Sequence, residues 1–222
     1  LSTPGPIDLD LDADRTQALK LTPVSREVEA RLEKFVALLL LRQQKLNLVA
    51  ASTLPHLWTR HIADSLQLVP LAPQALVWAD FGSGAGFPGI PIACMLAGRP
   101  GAKVHLIESH GKKAAFLREA VQVTGAPAVV HWVRAEDFAQ SCAENIDAVT
   151  ARALAPLKTL CDQTFPLIAK GAVGLFPKGQ HVEAELTEAA KYWTLQAQKV
   201  PSVTSPDSAI VVINGLKWRK SS

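Results

Sequence analysis

Asp80-Phe81-Gly82-Ser83-Gly84-Ala85-Gly86-Phe87-Pro88-Gly89 decides how the rest of this chain is read. An apolar run, Leu76–Phe81, ends in glycines, and a helical pattern follows near 89–97. A strand that turns through glycines into a helix lets a ligand approach the backbone closely, at a helix N-terminus. In open α/β sheets such ligands sit just outside the carboxyl ends of the strands. Gly84 to Gly89 also satisfies GxGxxG, the dinucleotide fingerprint, which alone is a weak signal. Asp80 discriminates. A carboxylate two positions before the first glycine crowds a pyrophosphate and suits a ligand carrying an ammonium or sulfonium group.

The loop sits within an alternating pattern. Candidate strands are 76–81, 103–108, 128–133, 147–151, 172–177, 194–200 and 209–214, with helical segments near 89–97, 112–123, 136–143 and 156–168. This alternation implies βαβ units and a mostly parallel seven-stranded sheet with helices on both faces. The last two strands lie close enough in sequence to form an antiparallel hairpin at the sheet edge. Upstream, Val28, Leu32, Phe35, Val36 and Leu39 recur at helical steps, with Ser25 as N-cap. A second helix is expected over 54–69, with Arg60 and Asp64 four apart and able to pair. The expected organisation is a poorly ordered arm over 1–22, a helical extension over 23–72, and the sheet domain over 73–222.

Composition narrows the class. The 222 residues are 48% hydrophobic and 19% charged, against about 25% charged for an average domain. Whole-chain disorder is excluded. The longest apolar run, Phe35–Leu41, is far below the ~20 residues of a spanning helix. Cys94, Cys142 and Cys161 are odd in number and widely spaced, which argues against a disulfide framework or zinc knuckle and points to a reducing cytoplasm. No apolar signal core is visible in 1–22. Net charge is +3, and its distribution says more: −2 over 1–22, +2 over 23–75, −1 over 76–150 and +4 over 151–222. The basic flanks read either as solvated faces with a frayed tail or as two lips around a neutral site.

The pattern Asp-x-Gly-x-Gly-x-Gly resembles that of class I (Rossmann-like) S-adenosylmethionine-dependent methyltransferases. Further segments narrow the resemblance: Asn47-Leu48-Val49, Arg60-His61-Ile62-Ala63-Asp64-Ser65-Leu66, Gly86-Phe87-Pro88-Gly89-Ile90-Pro91, Glu108-Ser109-His110-Gly111-Lys112-Lys113, Thr150-Ala151-Arg152-Ala153-Leu154-Ala155-Pro156-Leu157 and Pro177-Lys178-Gly179. In this order and spacing they resemble the RsmG family, also called glucose-inhibited division protein B, over about residues 23–218. The resemblance implies methyl transfer from S-adenosylmethionine to N7 of a guanine of bacterial 16S rRNA, position 527 in the 530 loop. The substrate would be the rRNA or the small ribosomal subunit, met by a cytoplasmic monomer with no metal and no membrane contact. Two departures stand out: Glu108, where many members carry Asp, and His110, where an apolar residue is frequent.

The resemblance places Gly82, Phe87, Ala135, Glu136 and Arg152 at the cofactor. The residues themselves add Asp80 for the ammonium, Gly84 and Gly86 for close backbone approach, and Glu108 for the ribose hydroxyls. Glu136 either accepts from the adenine amino group or caps the next helix. Arg152 meets a cofactor carboxylate or an RNA phosphate. Guanine N7 carries an in-plane lone pair and no proton, so no catalytic base is assigned. His61 is expected to pair with Asp64 or Asp80, with substrate contact as the alternative. Arg60, His61, Lys178, Lys217 and Arg219 are the RNA-binding candidates, joined by Arg42, Lys45 and Lys220. Phe87 and Phe176 are candidates to stack on a splayed-out base; Trp58, Trp78, Trp132 and Trp193 are expected in the core or an interface. Competing functions are a small-molecule methyltransferase capped by residues 23–70, an assembly protein that has lost catalysis, and a nicotinamide oxidoreductase, which Asp80 disfavours.

Overall fold

The computed structural model describes residues 10–219. Seven strands form one sheet in the order β3-β2-β1-β4-β5-β7-β6. They are β1 (Val77–Phe81), β2 (Lys103–Ile107), β3 (Ala128–His131), β4 (Ala148–Ala151), β5 (Val173–Lys178), β6 (Trp193–Pro201) and β7 (Ala209–Trp218). The first five run parallel, while β7 is antiparallel to both β5 and β6. Chain order reverses between β1 and β4, the kind of switch point at which an open α/β sheet leaves a crevice. β1 and β4 are buried on both faces, which is why they read as apolar runs. Asp80 is the one charged residue among them.

Helices cover both faces. α1 (Asp12–Leu21), α2 (Arg26–Leu46), the one-turn α3 (Asp64–Leu66), α4 (Gly89–Leu96) and α5 (Gly111–Thr124) lie on one side. α6 (Ala135–Ser141), α7 (Leu157–Ile168) and α8 (Val182–Ala190) lie on the other. Helix α2 starts where Ser25 accepts from the Val28 amide at 3.3 Å and stops at Asn47, which takes left-handed φ. Its stripe of Leu32, Phe35 and Leu39 packs into the same core as Ile90, Leu106 and Phe116 of the sheet half. Phe35 is fully buried and meets Phe87 edge-on at 5.2 Å; burying such a ring stabilises by about 1.5–3 kcal/mol.

Several expectations change. Residues 12–21, read as part of a loose arm, form a helix, because Asp14 is used tertiarily: its carboxylate accepts from the Trp58 amide at 2.7 Å and from the Thr59 hydroxyl. Residues 1–9 of that arm lie outside the described residues. The helix expected over 54–69 is instead a 3₁₀ turn (Ala51–His56), a π-helical turn (Trp58–Ala63), α3 and a second 3₁₀ turn (Val69–Leu71). A π turn widens the helix by one residue and typically marks a functional site. Helix α8 is additional to the four helical segments expected among the strands.

The C-terminal segment is also ordered as far as it is described: Lys217 and Trp218 belong to β7, and Arg219 donates its amide to Tyr192 O. Of the tryptophans expected in the core or an interface, Trp58, Trp78 and Trp193 are buried, whereas Trp132 is 62% exposed and so not in the core.

Candidate functional site at the switch point

The glycine loop leaves β1 and enters α4 at the carboxyl edge of the sheet. Gly89 has to be glycine: a Cβ there would lie 2.3 Å from Leu106 and 2.6 Å from Asp80 Oδ2. Gly84 is the opposite case. It holds φ +54, and a Cβ would meet nothing closer than 3.6 Å, so its α-carbon faces open space. Asp80 lies beneath the loop, fully buried. Its Oδ2 accepts from the Gly89 amide at 3.1 Å, and its Oδ1 has no partner among the described residues. Burial pushes this carboxyl up to about 7, outweighing the donors and the Arg152 cation around it. Among the buried side-chain oxygens described, Asp80 Oδ1 thus combines a missing partner with a strongly perturbed carboxyl, the combination that marks a candidate site.

Glu108, just past β2, closes the loop from the side. It is buried, with Oε2 accepting from the Gly84 amide at 2.9 Å and Oε1 from the His110 amide at 2.6 Å. One carboxylate thus joins two loops, and each oxygen keeps a further lone pair. Ala135 and Glu136 open α6 after β3. Glu136 is exposed and accepts from Gln163 Nε2 at 2.6 Å; its own backbone amide and Gln163 hold its carboxyl below the usual range. Glu136 is therefore not the cap of α6, whose N-cap position is Arg134, but a carboxylate in its first turn, where the helix dipole favours it. Beside it, Trp132 Nε1 donates to Ser109 O at 3.0 Å.

The other half of the site lies beyond β4, β5 and β7. A cavity of about 550 Å³ opens there, bounded by the π turn, the 152–156 segment after β4, the end of β5 and the β6–β7 loop. Arg152 lies at its inner edge. The guanidinium donates from NH2 to His61 Nδ1 at 2.5 Å, and NH1 stands 3.4 Å from Asp64 Oδ2, an ion contact without hydrogen-bond geometry. A guanidinium only donates, so His61 Nδ1 is the acceptor and Nε2 carries the hydrogen, given to Thr53 Oγ1 at 2.9 Å. Burial first, then the Arg152 and Arg60 cations, push the His61 imidazolium down to about 3. The ring is neutral and stacks on Phe87 at 4.8 Å.

His61 therefore does not pair with Asp64 or Asp80 as expected, and Asp64 pairs with Arg152 instead of Arg60. The π turn moves these side chains off the ordinary four-residue register. Asp64 Oδ1 also accepts from Thr204 Oγ1 and Gln67 Nε2, both at 2.8 Å, tying the extension to the hairpin loop. Local sequence carried no signal for Thr204, because its role depends on a partner 140 positions away. Leu154 joins the two halves: it lines the cavity, and its Cδ1 would stand 2.6 Å from a Cβ on Gly82.

The structure brings Asp80, Gly82, Gly84, Gly86, Phe87, Glu108, Arg152, His61, Arg60 and Lys178 to this edge of the sheet, with Ala135 and Glu136 at its β3 side. It separates Lys217 and Arg219 from it. Ala209 pairs with Lys178 at the site, so Lys217, eight residues further along β7, lies at the opposite edge of the sheet, roughly 25 Å away at strand rise. Arg42 is occupied by Glu119 at 2.9 Å, and Lys220 lies outside the described residues. Phe176 is in the core and cannot stack on a ligand; Phe87 is covered by Phe35 and His61. No group of side chains fit to hold a metal and no membrane-spanning helix occurs among the described residues.

Solved structures share this architecture. An O-methyltransferase from Bacillus cereus in complex with SAH superposes with a TM-score of 0.59 over 91% of this chain and 97% of that one, at 16% identity. Cofactor-bound Rv0187 from MTB gives 0.59 over 96% and 99%, at 17% identity. Likeness at this level establishes the fold, that of class I methyltransferases. Sequence goes further. The chain is 58% identical over 202 residues to a ribosomal RNA small subunit methyltransferase G of Bradyrhizobium sp. (strain BTAi1), covering 91% of each chain. It is 52% identical over 216 residues to that of Rhodopseudomonas palustris (strain BisB18), covering 97% of this chain and 92% of the relative. With the family model for rRNA small subunit methyltransferase G (GidB) matching residues 28–211, this chain belongs to that family.

Proposed function

We propose that the protein transfers a methyl group from S-adenosylmethionine to N7 of a guanine in bacterial 16S rRNA, the one at position 527. The observation that carries this reading is the meeting of two half-sites at Leu154, one lined by backbone and carboxylates, the other a cationic cavity of nucleotide size.

The donor half fits the cofactor. Asp80 would face its ammonium, the open α-carbon of Gly84 would leave room for its body, with Gly82, Gly86 and Phe87 as the loop's frame, and Glu108 would accept from its ribose hydroxyls. Ala135 and Glu136 would border its adenine through their backbone, since the Glu136 side chain is held by Gln163. Bound there, S-adenosylmethionine supplies an electrophilic methyl on a sulfonium.

The chain's own residues contribute position and field. Guanine N7 needs no deprotonation, and neutral His61 accordingly serves no acid or base role. Instead it accepts from Arg152 and fixes where that guanidinium points, so that NH1, which has an ion contact with Asp64 but no hydrogen bond, keeps its protons for an anionic group at the junction. Leu154 presents an apolar surface to a base in a cavity that otherwise has no aromatic side chain except His61. Such a site accelerates transfer through orientation, which is worth several kcal/mol. Arg60 and Lys178 supply positive charge on the cavity side.

The test is incubation with radiolabelled S-adenosylmethionine and small ribosomal subunits from a strain lacking the modification. Label is expected at one guanine N7. Normal binding of S-adenosylhomocysteine with no transfer to RNA would overturn the reading.

A further inference from the structure

Lys178 and Glu185 form an ion pair that the donor half does not use. Lys178 ends β5, and Glu185 lies on α8; both line the cavity. The Lys178 side chain is 8% exposed, and its ammonium donates to Ala155 O and to Glu185 Oε2, each at 2.8 Å. Glu185 Oε2 also accepts the Leu157 amide at 2.7 Å, at the start of α7. One oxygen of the carboxylate is therefore saturated and fixed in place. The neighbouring Oε1 has no partner among the described residues, and an ammonium has three protons, of which two are used here. A nearly buried ion pair adds little stability in itself. What this one presents to the cavity is a donor and an acceptor side by side, both pre-oriented.

That pattern matches O6 and N1–H of guanine with N7 on the Lys178 side; uracil O4 and N3–H make the same pair, but uracil has no N7 to methylate. Guanine carries O6, an acceptor, beside N1–H and the N2 amino group, both donors. Adenine reverses the first two: a donor at position 6 and an acceptor at N1. We propose that Lys178 donates to O6 and Glu185 Oε1 accepts from N1–H of the target guanine, making Glu185 a specificity-determining residue. N7 lies on the other side of O6 from N1, so a base held this way keeps N7 free. The inference rests on the rRNA methyltransferase reading above and adds the groups that select the base. A site built to pair such groups rejects analogues lacking them by large factors.

The experiment compares small subunits carrying guanosine or 2-aminopurine riboside at the target. The latter keeps N7 and the N2 amino group but has no O6 and offers N1 as an acceptor. The parent chain is expected to favour guanosine by a hundredfold or more in kcat/KM. In Glu185→Gln, the Leu157 amide and Lys178 hold the amide oxygen in the Oε2 place, which turns the amide NH2 toward the base. Transfer to guanosine is expected to fall at least tenfold and the guanosine preference to narrow at least tenfold, with S-adenosylhomocysteine binding unchanged. An independent arm uses the unmutated chain: 1-methylguanosine at the target, with its N1 donor blocked, is expected to react at least tenfold more slowly. An unchanged preference in the variant, or full activity on 1-methylguanosine, overturns the pair's role alone. No transfer to guanosine by the parent overturns the underlying reading as well.

Discussion

Arg152 NH2 donates to His61 Nδ1 at 2.5 Å, so a residue of the helical extension sets the aim of a residue of the catalytic sheet. The contact explains why the extension is part of the site instead of a cap that could be removed. His61 is itself fixed from three sides, by Thr53, by Phe87 and by Arg152.

His61→Phe keeps the ring stacked on Phe87 and deletes the acceptor. We expect kcat/KM for methyl transfer to fall about tenfold to a hundredfold, with His61→Asn recovering part of it because its amide oxygen can accept in the same place. Since burial holds the imidazolium down to about 3, His61 adds no limb to the activity profile between pH 5.5 and 9. For stability, the folded value lies below the ordinary 6.5, so the unfolded chain takes up the proton first. Stability from this group is present above about pH 6.5 and lost as pH falls toward 3, by roughly a few kcal/mol. A His61→Phe variant whose acid unfolding is as steep as the parent's would show that another group carries the effect.

Asp80 titrates in the opposite direction. Burial raises its carboxyl to about 7, so its share of stability is complete below the unfolded value near 3.8 and is lost as pH climbs through 7. Ligand-free Asp80→Asn should therefore be more stable than the parent at pH 8, by roughly 1–4 kcal/mol, and this difference should shrink by roughly 2–3 kcal/mol on going to pH 5. The same change should weaken S-adenosylhomocysteine binding at least tenfold. In the parent, an ammonium beside Asp80 favours the carboxylate, so binding at pH 6.5 should release a proton. Calorimetry in two buffers of different ionisation enthalpy reads this directly, and identical heats in both would exclude it.

These two residues also show what a sequence exposes. Asp80 is legible because its meaning is local: a strand end, a glycine loop and a helix start within ten residues. The strands are legible for the same reason, since apolar runs bounded by turns report a sheet buried on both faces. His61 was legible as part of a motif but not in its partner, because a π turn arises from packing and has no residue signature of its own. Asp14, Thr204 and Glu185 act on residues 44, 140 and 28 positions away, and no short window holds such pairs. The distance of Lys217 and Arg219 from the glycine loop was not legible, because charge counts do not show strand direction.

Gly84 separates cofactor binding from folding. Its α-carbon faces open space, so Gly84→Arg should fill the donor half while leaving the core untouched, apart from a strain cost of about 1 kcal/mol at positive φ. Glu108→Ala acts differently, by removing the clamp on the Gly84 and His110 amides. Both should lower S-adenosylhomocysteine affinity at least tenfold by calorimetry, with only Glu108→Ala raising hydrogen exchange at residues 82–86. Parent-like affinity in both variants would move the cofactor elsewhere.

Charge provides the remaining test, because the two basic clusters lie on opposite edges of the sheet. Arg60 is exposed on the π turn and lines the cavity, whereas Lys217 and Arg219 lie where β7 pairs with the start of β6. A residue that contacts a phosphate contributes to the salt dependence of RNA binding; one that faces solvent elsewhere does not. Arg60→Ala should weaken binding of the rRNA substrate several-fold and lower the slope of log affinity against log salt by about 1. The double variant Lys217→Ala/Arg219→Ala should leave slope and methylation rate within twofold of the parent, although it carries the larger change in net charge. If the double variant instead shows the larger loss of slope, the rRNA wraps to the far edge of the sheet and the cavity side is not its principal contact.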